Sequence, residues 1–251
     1  METKNKLSKG HLHPITSLIR EIERIFATIG FSIADGPEIE TEFYNFDALN
    51  IPAHHPARDM QDTFWLKTRT PTVSASQNLK GQADNRERRV LRTHTSPVQI
   101  RYMELHKPPF RIIVPGKVFR NEATDATHEA QFYQLEGLMV DEKVSLADLK
   151  GTLEYFYKKL FGDEVKLRFR PSYFPFVEPA LEVDIFFKDK WLEVNGAGLV
   201  HPKVFEAAGV DPKNWQGFAF GGGIDRLAMI KYGIPDVRHF YSGDLRLSTQ
   251  F

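Results

Sequence analysis

The run from Pro115 to Asp141, PGKVFRNEATDATHEAQFYQLEGLMVD, is the feature that most constrains the fold of this chain. It reads as two strands joined by a turn, and side chains on a strand alternate between its two faces. One face carries polar groups where a buried sheet would carry aliphatic ones: Val118, Arg120 and Glu122 before the turn, and Phe132, Gln134 and Glu136 after it. Phe119, Tyr133, Leu135 and Leu138 are left to pack the opposite side. An arginine, two carboxylates, an amide and a flat aromatic ring on one face predict a surface that binds a nucleotide together with an amino acid.

The composition is that of an ordinary globular protein. The chain has 251 residues, 41% of them hydrophobic, which suits one large domain or two small ones. Lysine plus arginine and aspartate plus glutamate both number 33, so the chain lacks the basic excess of a protein that grips nucleic acid alone. It has no cysteine, which excludes disulfides and thiolate metal sites. Because no apolar run could cross a membrane and residues 1–13 show no signal-peptide pattern, we expect a cytoplasmic protein.

Helices are predicted where apolar residues recur at steps of three and four. The three clearest are one that begins at Pro14 and ends before Gly30, one that begins at Ser96-Pro97 with a hydroxyl cap and runs to about His106, and one from Ser145 to Phe161 with Ser145 as its cap. A further helix is expected from about Gly223.

Strands are predicted at Phe31 to Glu40 with a break near Gly36-Pro37, Asp62 to Leu66, Val165 to Arg170, Ala180 to Phe187, Trp191 to Leu199 and Gly217 to Phe220. Proline cannot donate to a central ladder, so the first of these belongs at an edge or an interface. The short turn at residues 188–190 implies antiparallel pairing. The predicted fold class is α+β, with a large antiparallel sheet flanked by helices.

Two stretches between these elements are predicted to be loops. Residues 41–62 have no clear period and read as a long ordered loop with a few short turns. Residues 67–92 are polar and contain a basic cluster, Arg86, Arg88, Arg89 and Arg92, for which a solvated surface loop is favoured over a nucleic-acid contact. His11, His13, His54 and His55 lack the spacing of a zinc site and are expected to be loop or capping residues.

The run GFAFGGGIDR near the end of the chain joins a strand to a helix through consecutive glycines. It is not a dinucleotide-binding fingerprint, because that motif belongs to the first unit of a parallel sheet. The glycines either let the backbone approach a ligand or serve packing. Arg226 projects from the first turn of the helix, and together with Arg120 it could clamp a polyphosphate. Phe132 could stack on an adenine ring that Arg226 covers from the other side.

Three segments together resemble the signature motifs of class II aminoacyl-tRNA synthetases. They are a helix and a proline-containing strand at about 14–40, the FRNE hairpin at about 111–141, and GFAFGGGIDR with its helix at about 217–232. The runs DTFWL at Asp62, RTHTSPVQIRYM at Arg92, FYQLEGLMVD at Phe132, PSYFPFVEPALEVDI at Pro171 and WLEVNGAGLVHP at Trp191 are similar to the catalytic α subunits of bacterial phenylalanyl-tRNA synthetases. The resemblance covers residues 13–251 and implies one class II catalytic domain there, with residues 1–12 as a short polar N-terminal remnant in place of that family's helical arm.

This resemblance implies roles for the matching residues. For ATP they are Arg120 on the α-phosphate, His128 and Arg226 on the outer phosphates, Phe132 and Arg226 on the two faces of adenine, and Glu122 beside them; Arg120, His128 and Arg226 are also the candidate catalytic residues. For phenylalanine they are Trp65, His94, Ser96, Gln134 and Glu136 around the ammonium and carboxylate, and Phe174, Phe176 and Ala219 around the side chain. Glu178 looks like the family's magnesium-binding carboxylate.

Elementary chemistry agrees with several of these roles. Phe174 and Phe176 lie two apart around Pro175 and should face the same way, and Ala219 leaves room for a phenyl ring. Glu136 supplies a negative charge for an ammonium group. The start of the helix at Ser96-Pro97 should offer free backbone donors and a positive dipole end near a carboxylate.

The activity implied by the resemblance is ATP-dependent formation of phenylalanyl-adenylate and transfer of the phenylalanyl group to tRNA(Phe). The implied cofactor is Mg2+, and the implied partner is the β subunit of an α2β2 heterotetramer in which the first motif forms the dimer interface. The alternative is a synthetase-like paralogue or a truncated form that binds ATP or an amino acid without charging tRNA. Asp225 stands where the family usually has glutamate, and this shorter side chain is expected to weaken any metal or phosphate contact made there.

Overall fold

The structure is a computed structural model that describes residues 10–58, 62–67, 88–187 and 189–251. The helices are α1 Pro14–Ala27, α2 Glu42–Asn45, α3 Pro97–Leu105, α4 Leu146–Phe161, α5 Pro202–Ala207, α6 Ile224–Tyr232 and α7 Leu245–Ser248, with short 3-10 turns at Asp47–Leu49, Pro56–Arg58 and Val237–Phe240. The strands are β1 Ser32–Ile33, β2 Ile39–Thr41, β3 Arg89–Leu91, β4 Phe110–Phe119, β5 Gln131–Asp141, β6 Leu167–Phe174, β7 Val177–Phe187, β8 Lys190–Val200 and β9 Gln216–Gly223.

Within the described residues, seven strands form one sheet in the order β1-β4-β5-β9-β8-β7-β6, and β2 pairs with β3 in a separate ribbon. Every pairing in the large sheet is antiparallel except that of β1 with β4. β4 and β5, and likewise β6, β7 and β8, follow one another along the chain without an intervening helix, which makes this pairing the natural one. The predicted α+β class with a large antiparallel sheet is confirmed, and β1 lies at an edge of the sheet as the nearby proline indicates.

Local sequence signals account for the helix boundaries. His13 caps α1, its ring accepting from the backbone N–H of Ile15, and Pro14 occupies the first turn. Ser145 and Asp148 form a reciprocal capping box at the start of α4. Each cap contributes on the order of 1 kcal/mol. The predicted starts of both helices are confirmed.

The large sheet separates two hydrophobic cores. One face packs against α1, α4 and α6 through residues such as Phe26, Phe156 and Phe220. The other face packs against α3, α5 and the turn at residues 47–49, through residues such as Leu49 and Ile100. Full burial of one such side chain stabilises the fold by roughly 1.5–3 kcal/mol. In β5 the even-numbered residues face the second core, so Leu138 lies on the same side as Gln134 and Glu136. The expectation that Leu138 packs the opposite face is wrong, because the alternation of the strand continues unbroken through it.

Two predictions for the segment between α2 and α3 need correction. The strand expected at Asp62 to Leu66 is reduced to a single bridge between Trp65 and Val90. The basic cluster does not behave as one solvated group: Arg92 is buried and donates to the carbonyls of Lys117 and Gly36, and Arg88 pairs with Glu42 at 3.2 Å. Arg92 therefore has a tertiary role that neither reading of the cluster includes, whereas Arg88 and Arg89 are exposed as the surface reading expects. Arg86 and the segment 68–87 lie outside the described residues.

Among the described residues, no helix is long and apolar enough to span a membrane.

Candidate active site

Two adjoining cavities open on the second-core face of the large sheet. The arginine cavity has two lobes of about 160 and 490 Å³, and both are lined by Arg120, His128, Phe132 and Arg226. Glu122 lines the smaller lobe. The aromatic cavity, about 530 Å³, is lined by Phe174, Phe176, Ala219, His94, Ser96 and Glu136. Arg120 and Gln134 line both cavities, so the two form one continuous trough.

Glycines in the central strands make the floor of this trough. Glu136 of β5 is paired with Gly221 of β9, and Gly221 is paired in turn with Gly196 of β8. A Cβ atom on Gly221 would lie 2.9 Å from Oε2 of Glu136 and 3.0 Å from Nε2 of Gln134. The glycine run of the last motif therefore gives space to polar side chains of the neighbouring strand, which is the close-approach reading of these residues.

Arginines and aromatics meet in the arginine cavity. The guanidinium of Arg120 lies 5.1 Å from the centre of the Phe132 ring, and its Nε donates to the carbonyl of Thr93 at 3.2 Å. Burial lowers the pKa of Arg120 from its usual value, and the group remains a cation at neutral pH. Within the described residues, the Arg226 side chain makes no hydrogen bond or ion pair. The structure thus brings together the predicted ATP residues and leaves one arginine available for a ligand.

His128 lies at the exposed rim of the same cavity. Its Nδ1 is 3.0 Å from both carboxylate oxygens of Asp125, whose Oδ1 also accepts from the backbone N–H groups of Thr127 and His128. These hydrogen bonds hold the pKa of Asp125 well below its usual range. The turn between β4 and β5 therefore carries an ordered histidine over the cavity.

The side-chain part of the aromatic cavity is made by two stacked rings. The ring centres of Phe174 and Phe176 are 5.9 Å apart with planes inclined by 19°. They face the same cavity as predicted, but the reason is different: β6 ends at Phe174 and Phe176 lies in the tight turn before β7, so strand alternation does not set their direction. Ala219 is buried in the floor opposite them.

Glu136 is a buried carboxyl group at the polar end of the aromatic cavity. Its Oε1 accepts from the Ser96 hydroxyl at 2.9 Å and from the Gln99 amide, and its Oε2 accepts from Thr95 Oγ1 at 3.5 Å. Burial raises the pKa of Glu136 to about 8, although these three donors act in the opposite direction. The group has donors but no cationic partner in the described part of the chain, which is the arrangement that a bound ammonium group would complete.

Three predicted amino-acid-binding residues carry buried polar atoms without partners. In the described ranges, Oε1 of Gln134 and Nε1 of Trp65 lack a hydrogen bond, and neither ring nitrogen of His94 has a partner in hydrogen-bond geometry, although the backbone of Asn45 lies close to the ring. Burial and the nearby Arg120 lower the pKa of His94 to about 3, so the ring is neutral. Leaving a buried polar group unpaired costs about 1–3 kcal/mol. Clustered orphan atoms at His94 and Gln134 beside a cavity indicate a site arranged for a polar ligand.

The helix start at Ser96-Pro97 differs from its prediction. The Ser96 hydroxyl donates to Glu136 and does not cap α3. Pro97 has no N–H, and the N–H groups of Val98 and Gln99 donate to the carbonyls of Thr95 and Ser96. The expected free backbone donors at these two positions are therefore occupied, and only the positive end of the helix dipole remains as an aid to a bound carboxylate.

Asp225 lines the arginine cavity, but both oxygens of its carboxylate accept hydrogen bonds from within the protein. Its Oδ2 accepts from the backbone N–H of Tyr133 at 2.7 Å, and its Oδ1 accepts from the Tyr241 hydroxyl. Burial raises the pKa of Asp225 to about 6. The Asp225 side chain thus links the first turn of α6 to β5 and to Tyr241.

Trp65 and Glu178 stand apart from the other predicted residues. Trp65 stacks on Phe46 with Arg88 over its ring and is not among the residues that line the two cavities. Glu178 is exposed and lines a separate cavity with His201, 3.6 Å away.

Magnesium prefers carboxylates and waters together with substrate phosphates. No cluster of three or more potential metal ligands occurs in the described ranges. Glu178 lies outside the lining of the arginine cavity, so its position does not fit a magnesium ion at the predicted phosphates.

Sequence reasoning missed several groups around Glu136. Gln99 lies three residues after Ser96 on α3, so helical spacing already places the two side chains on one face. Gly196 and Glu193 also line the trough, and their contribution depends on strand register, which the sequence does not reveal.

Comparisons with known proteins identify the family of this chain. The family model "tRNA synthetases class II core domain (F)" matches residues 2–251. The chain is 54% identical to the phenylalanine–tRNA ligase alpha subunit of Jannaschia sp. (strain CCS1), over 94% of this chain and 66% of that protein. It is 49% identical to the alpha subunit of the same name from Bacillus subtilis (strain 168), over 98% of this chain and 70% of that protein. The chain therefore spans about two thirds of the length of these relatives.

The fold is also similar to that of a solved structure. Pyrrolysyl-tRNA synthetase from Desulfitobacterium hafniense superposes with a TM-score of 0.67 over 93% of this chain and 74% of that one, at 18% identity. At this level of identity the likeness bears on the fold alone.

Proposed function

Because this chain belongs to the class II core domain family of tRNA synthetases, and within it to the phenylalanine–tRNA ligase alpha subunits, we propose that it activates phenylalanine with ATP and passes the phenylalanyl group to tRNA(Phe). The observation that carries the proposal is the continuous trough, with cations and an aromatic ring at one end and a buried carboxyl beside stacked rings at the other. Arg120 lines both parts and therefore marks the place where two substrates would meet.

The reaction is attack of the phenylalanine carboxylate on the α-phosphorus of ATP, which forms the mixed anhydride phenylalanyl-adenylate and releases pyrophosphate. Arg120 holds the α-phosphate, where negative charge builds as the carboxylate oxygen adds. Arg226 and His128 hold the outer phosphates, and Phe132 with Arg226 brackets the adenine. The chain contributes positioning and charge neutralisation without a covalent enzyme intermediate.

Recognition of phenylalanine uses the other end of the trough. Glu136, ionised on binding, receives the ammonium group, and the unpaired atoms of His94 and Gln134 acquire partners from the ligand. Phe174 and Phe176 contact the phenyl ring above Ala219. Ser96 supports this end through its hydrogen bond to Glu136, and a role for Trp65 here follows from the resemblance alone.

The proposal extends to the assembly, the metal and the compartment. A β subunit in an α2β2 heterotetramer is the proposed partner, with α1 and the β1 edge against a second α chain. Residues 13–251 are the proposed catalytic domain, and the cytoplasm is the proposed compartment. Mg2+ is proposed only as the ion that accompanies ATP, and Glu178 as its carboxylate follows from the resemblance without support from the cavity geometry.

Phenylalanine-dependent pyrophosphate exchange, measured with the β subunit present, tests the proposal. Arg120→Ala should lower exchange by about 10²–10³-fold, since a cation aimed at the developing charge is removed. Arg246→Ala is the matched control, because Arg246 is exposed and pairs only with neighbouring groups near the C-terminal end. Full exchange in Arg120→Ala would refute the role of the hairpin, and ATP or phenylalanine binding without any exchange in the wild type would favour the non-charging paralogue.

A further inference from the structure

Asp225 joins two strands at the point where their pairing ends. The ladder between β5 and β9 stops at Gln134 and Gly223, because the chain turns there into α6. The next N–H on this stretch of β5, that of Tyr133, finds its acceptor in Oδ2 of Asp225 at 2.7 Å. The carboxylate therefore takes the place of a missing strand carbonyl and ties residue 133 to residue 225.

The link between Tyr133 and Asp225 matters because of the residues that lie next to them in the chain. Phe132 precedes Tyr133, and Arg226 follows Asp225, and both line the arginine cavity. The distance between the ring and the guanidinium thus depends on the link between Tyr133 and Asp225. Arg226 makes no hydrogen bond of its own to the described residues, so its position relies on the backbone of α6.

A C-terminal strap, residues 237–241, supports this link through a second hydrogen bond to Asp225. The Tyr241 hydroxyl donates to Oδ1 of Asp225. At the other end of the strap, the N–H of Val237 donates to the carbonyl of Ala126, in the turn between β4 and β5. The strap therefore touches both the turn that carries His128 and the first turn of α6.

The strap is in turn anchored to the first helix. Nε2 of His13, the residue that caps α1, donates to the carbonyl of Phe240 at 3.0 Å. Its other nitrogen, Nδ1, accepts from the backbone N–H of Ile15. Tyr241 is thus held on a fixed element, as a residue that orients a carboxylate must be.

We propose that Tyr241 is a positioning residue that acts through Asp225 to set the spacing between Phe132 and Arg226, and so the affinity of the site for the adenine of ATP. This inference rests on the proposed function. The elevated pKa of Asp225 agrees with it, because a buried carboxylate without a cation depends on its two hydrogen-bond donors.

The effect should be selective between the two substrates. Tyr241→Phe removes one hydroxyl and keeps the ring, so the KM for ATP should rise about tenfold, as expected for loss of one hydrogen bond to a charged group. The KM for phenylalanine should stay within about twofold, because the aromatic cavity does not include Tyr241 or Asp225. A purely structural role would change both KM values together.

The test uses the full chain in complex with its β subunit. Phenylalanine-dependent pyrophosphate exchange and calorimetric titration of ATP alone are measured for wild type, Tyr241→Phe, Asp225→Asn and the double variant. Tyr155→Phe is the matched control, since its hydroxyl bonds Thr28 away from the cavities. We expect the double variant to bind ATP no more weakly than Asp225→Asn, because Tyr241 acts only through that carboxylate.

Several results would overturn the inference: an unchanged KM for ATP in Tyr241→Phe, an equal rise in both KM values, an equal effect of Tyr155→Phe, or strictly additive losses in the double variant. Absence of exchange in the wild type would instead refute the proposed function, and the ATP titration would still report on Tyr241.

Discussion

The charge state of Glu136 is the property of this site that can be tested most directly. Its carboxyl is 2% exposed and accepts from Ser96, Gln99 and Thr95 without a cationic partner in the described ranges. Burial raises its pKa from 4.5 to about 8. In the absence of a ligand, the group is therefore protonated across most of the neutral range.

The sign and size of the effect on stability follow from this pKa. A carboxyl whose folded pKa lies above its unfolded pKa contributes stability that is complete below pH 4.5 and is lost as the pH rises through about 8. At about 1.4 kcal/mol per pH unit, the interval between these values corresponds to on the order of 5 kcal/mol. Glu136→Gln keeps the shape and removes the ionisation, so it should abolish this part of the pH dependence.

The assay is urea unfolding of wild type and Glu136→Gln at pH 5 and pH 8.5. We expect the free energy of unfolding of the wild type to fall relative to the variant by several kcal/mol between these two conditions. Glu154→Gln is the matched control, because Glu154 is exposed on α4 and should leave the pH dependence unchanged. A constant difference between wild type and Glu136→Gln at both pH values would refute the argument from burial.

Ligand binding provides a second test of the protonation of Glu136. A bound ammonium requires the ionised carboxylate, so phenylalanine binding near pH 7 should release about one proton, and affinity should rise about tenfold per pH unit up to about pH 8. Calorimetry in buffers of different ionisation enthalpy counts the proton. Binding without proton release in the wild type would mean that Glu136 is already ionised.

Two further predictions concern the floor of the trough. Gly221→Ala should weaken phenylalanine binding by about tenfold in calorimetric titration, since the new Cβ would meet Glu136 and Gln134 at 3.0 Å or less. Gly151→Ala, in the open on α4, should instead raise stability by about 0.5–1 kcal/mol in urea unfolding. Equal phenylalanine binding by the two variants would contradict the first prediction. Ala219→Gly should increase the relative exchange rate with para-substituted phenylalanines by enlarging the aromatic cavity, and unchanged relative rates across such analogues would count against a role for Ala219 in its lining.

The parts of the fold that the sequence predicts are those determined locally. The cap at Ser145, the proline at the start of α1 and the alternation in the β4–β5 hairpin all act within a few residues, and each corresponds to an observed element. The strand expected at residues 62–66 is reduced to the bridge between Trp65 and Val90, and the backbone partners that form it, Arg89 and Leu91, are remote in the chain.

Arg92 shows why the remainder could not be predicted. A polar, basic stretch reads as solvated, yet this guanidinium is buried in space that a side chain at Gly116 would occupy. Neither residue signals the other, because the contact depends on the fold of the intervening chain. Pairing of this kind is a tertiary effect that composition and periodicity do not encode.

The candidate site divides in the same way. Motif resemblance identified residues such as Arg120, Glu136 and Phe174, and the structure places them around one trough. The donors to Glu136 from Thr95 and Gln99 were missed, because their role depends on the side of β5 that α3 covers. The internal use of the Asp225 carboxylate likewise depends on where β9 leaves the sheet.

The position of the aromatic cavity within the second core has a thermodynamic consequence. Phe174, Phe176 and Ala219 belong to that core or pack against it, so the cavity is a gap in the hydrophobic interior of the protein. A phenyl ring that enters it leaves water for a largely hydrophobic lining, as a core side chain does during folding. Binding should therefore carry a negative change in heat capacity. Because the bound ring packs like a core side chain, the stability of the fold should also rise with the concentration of the amino acid.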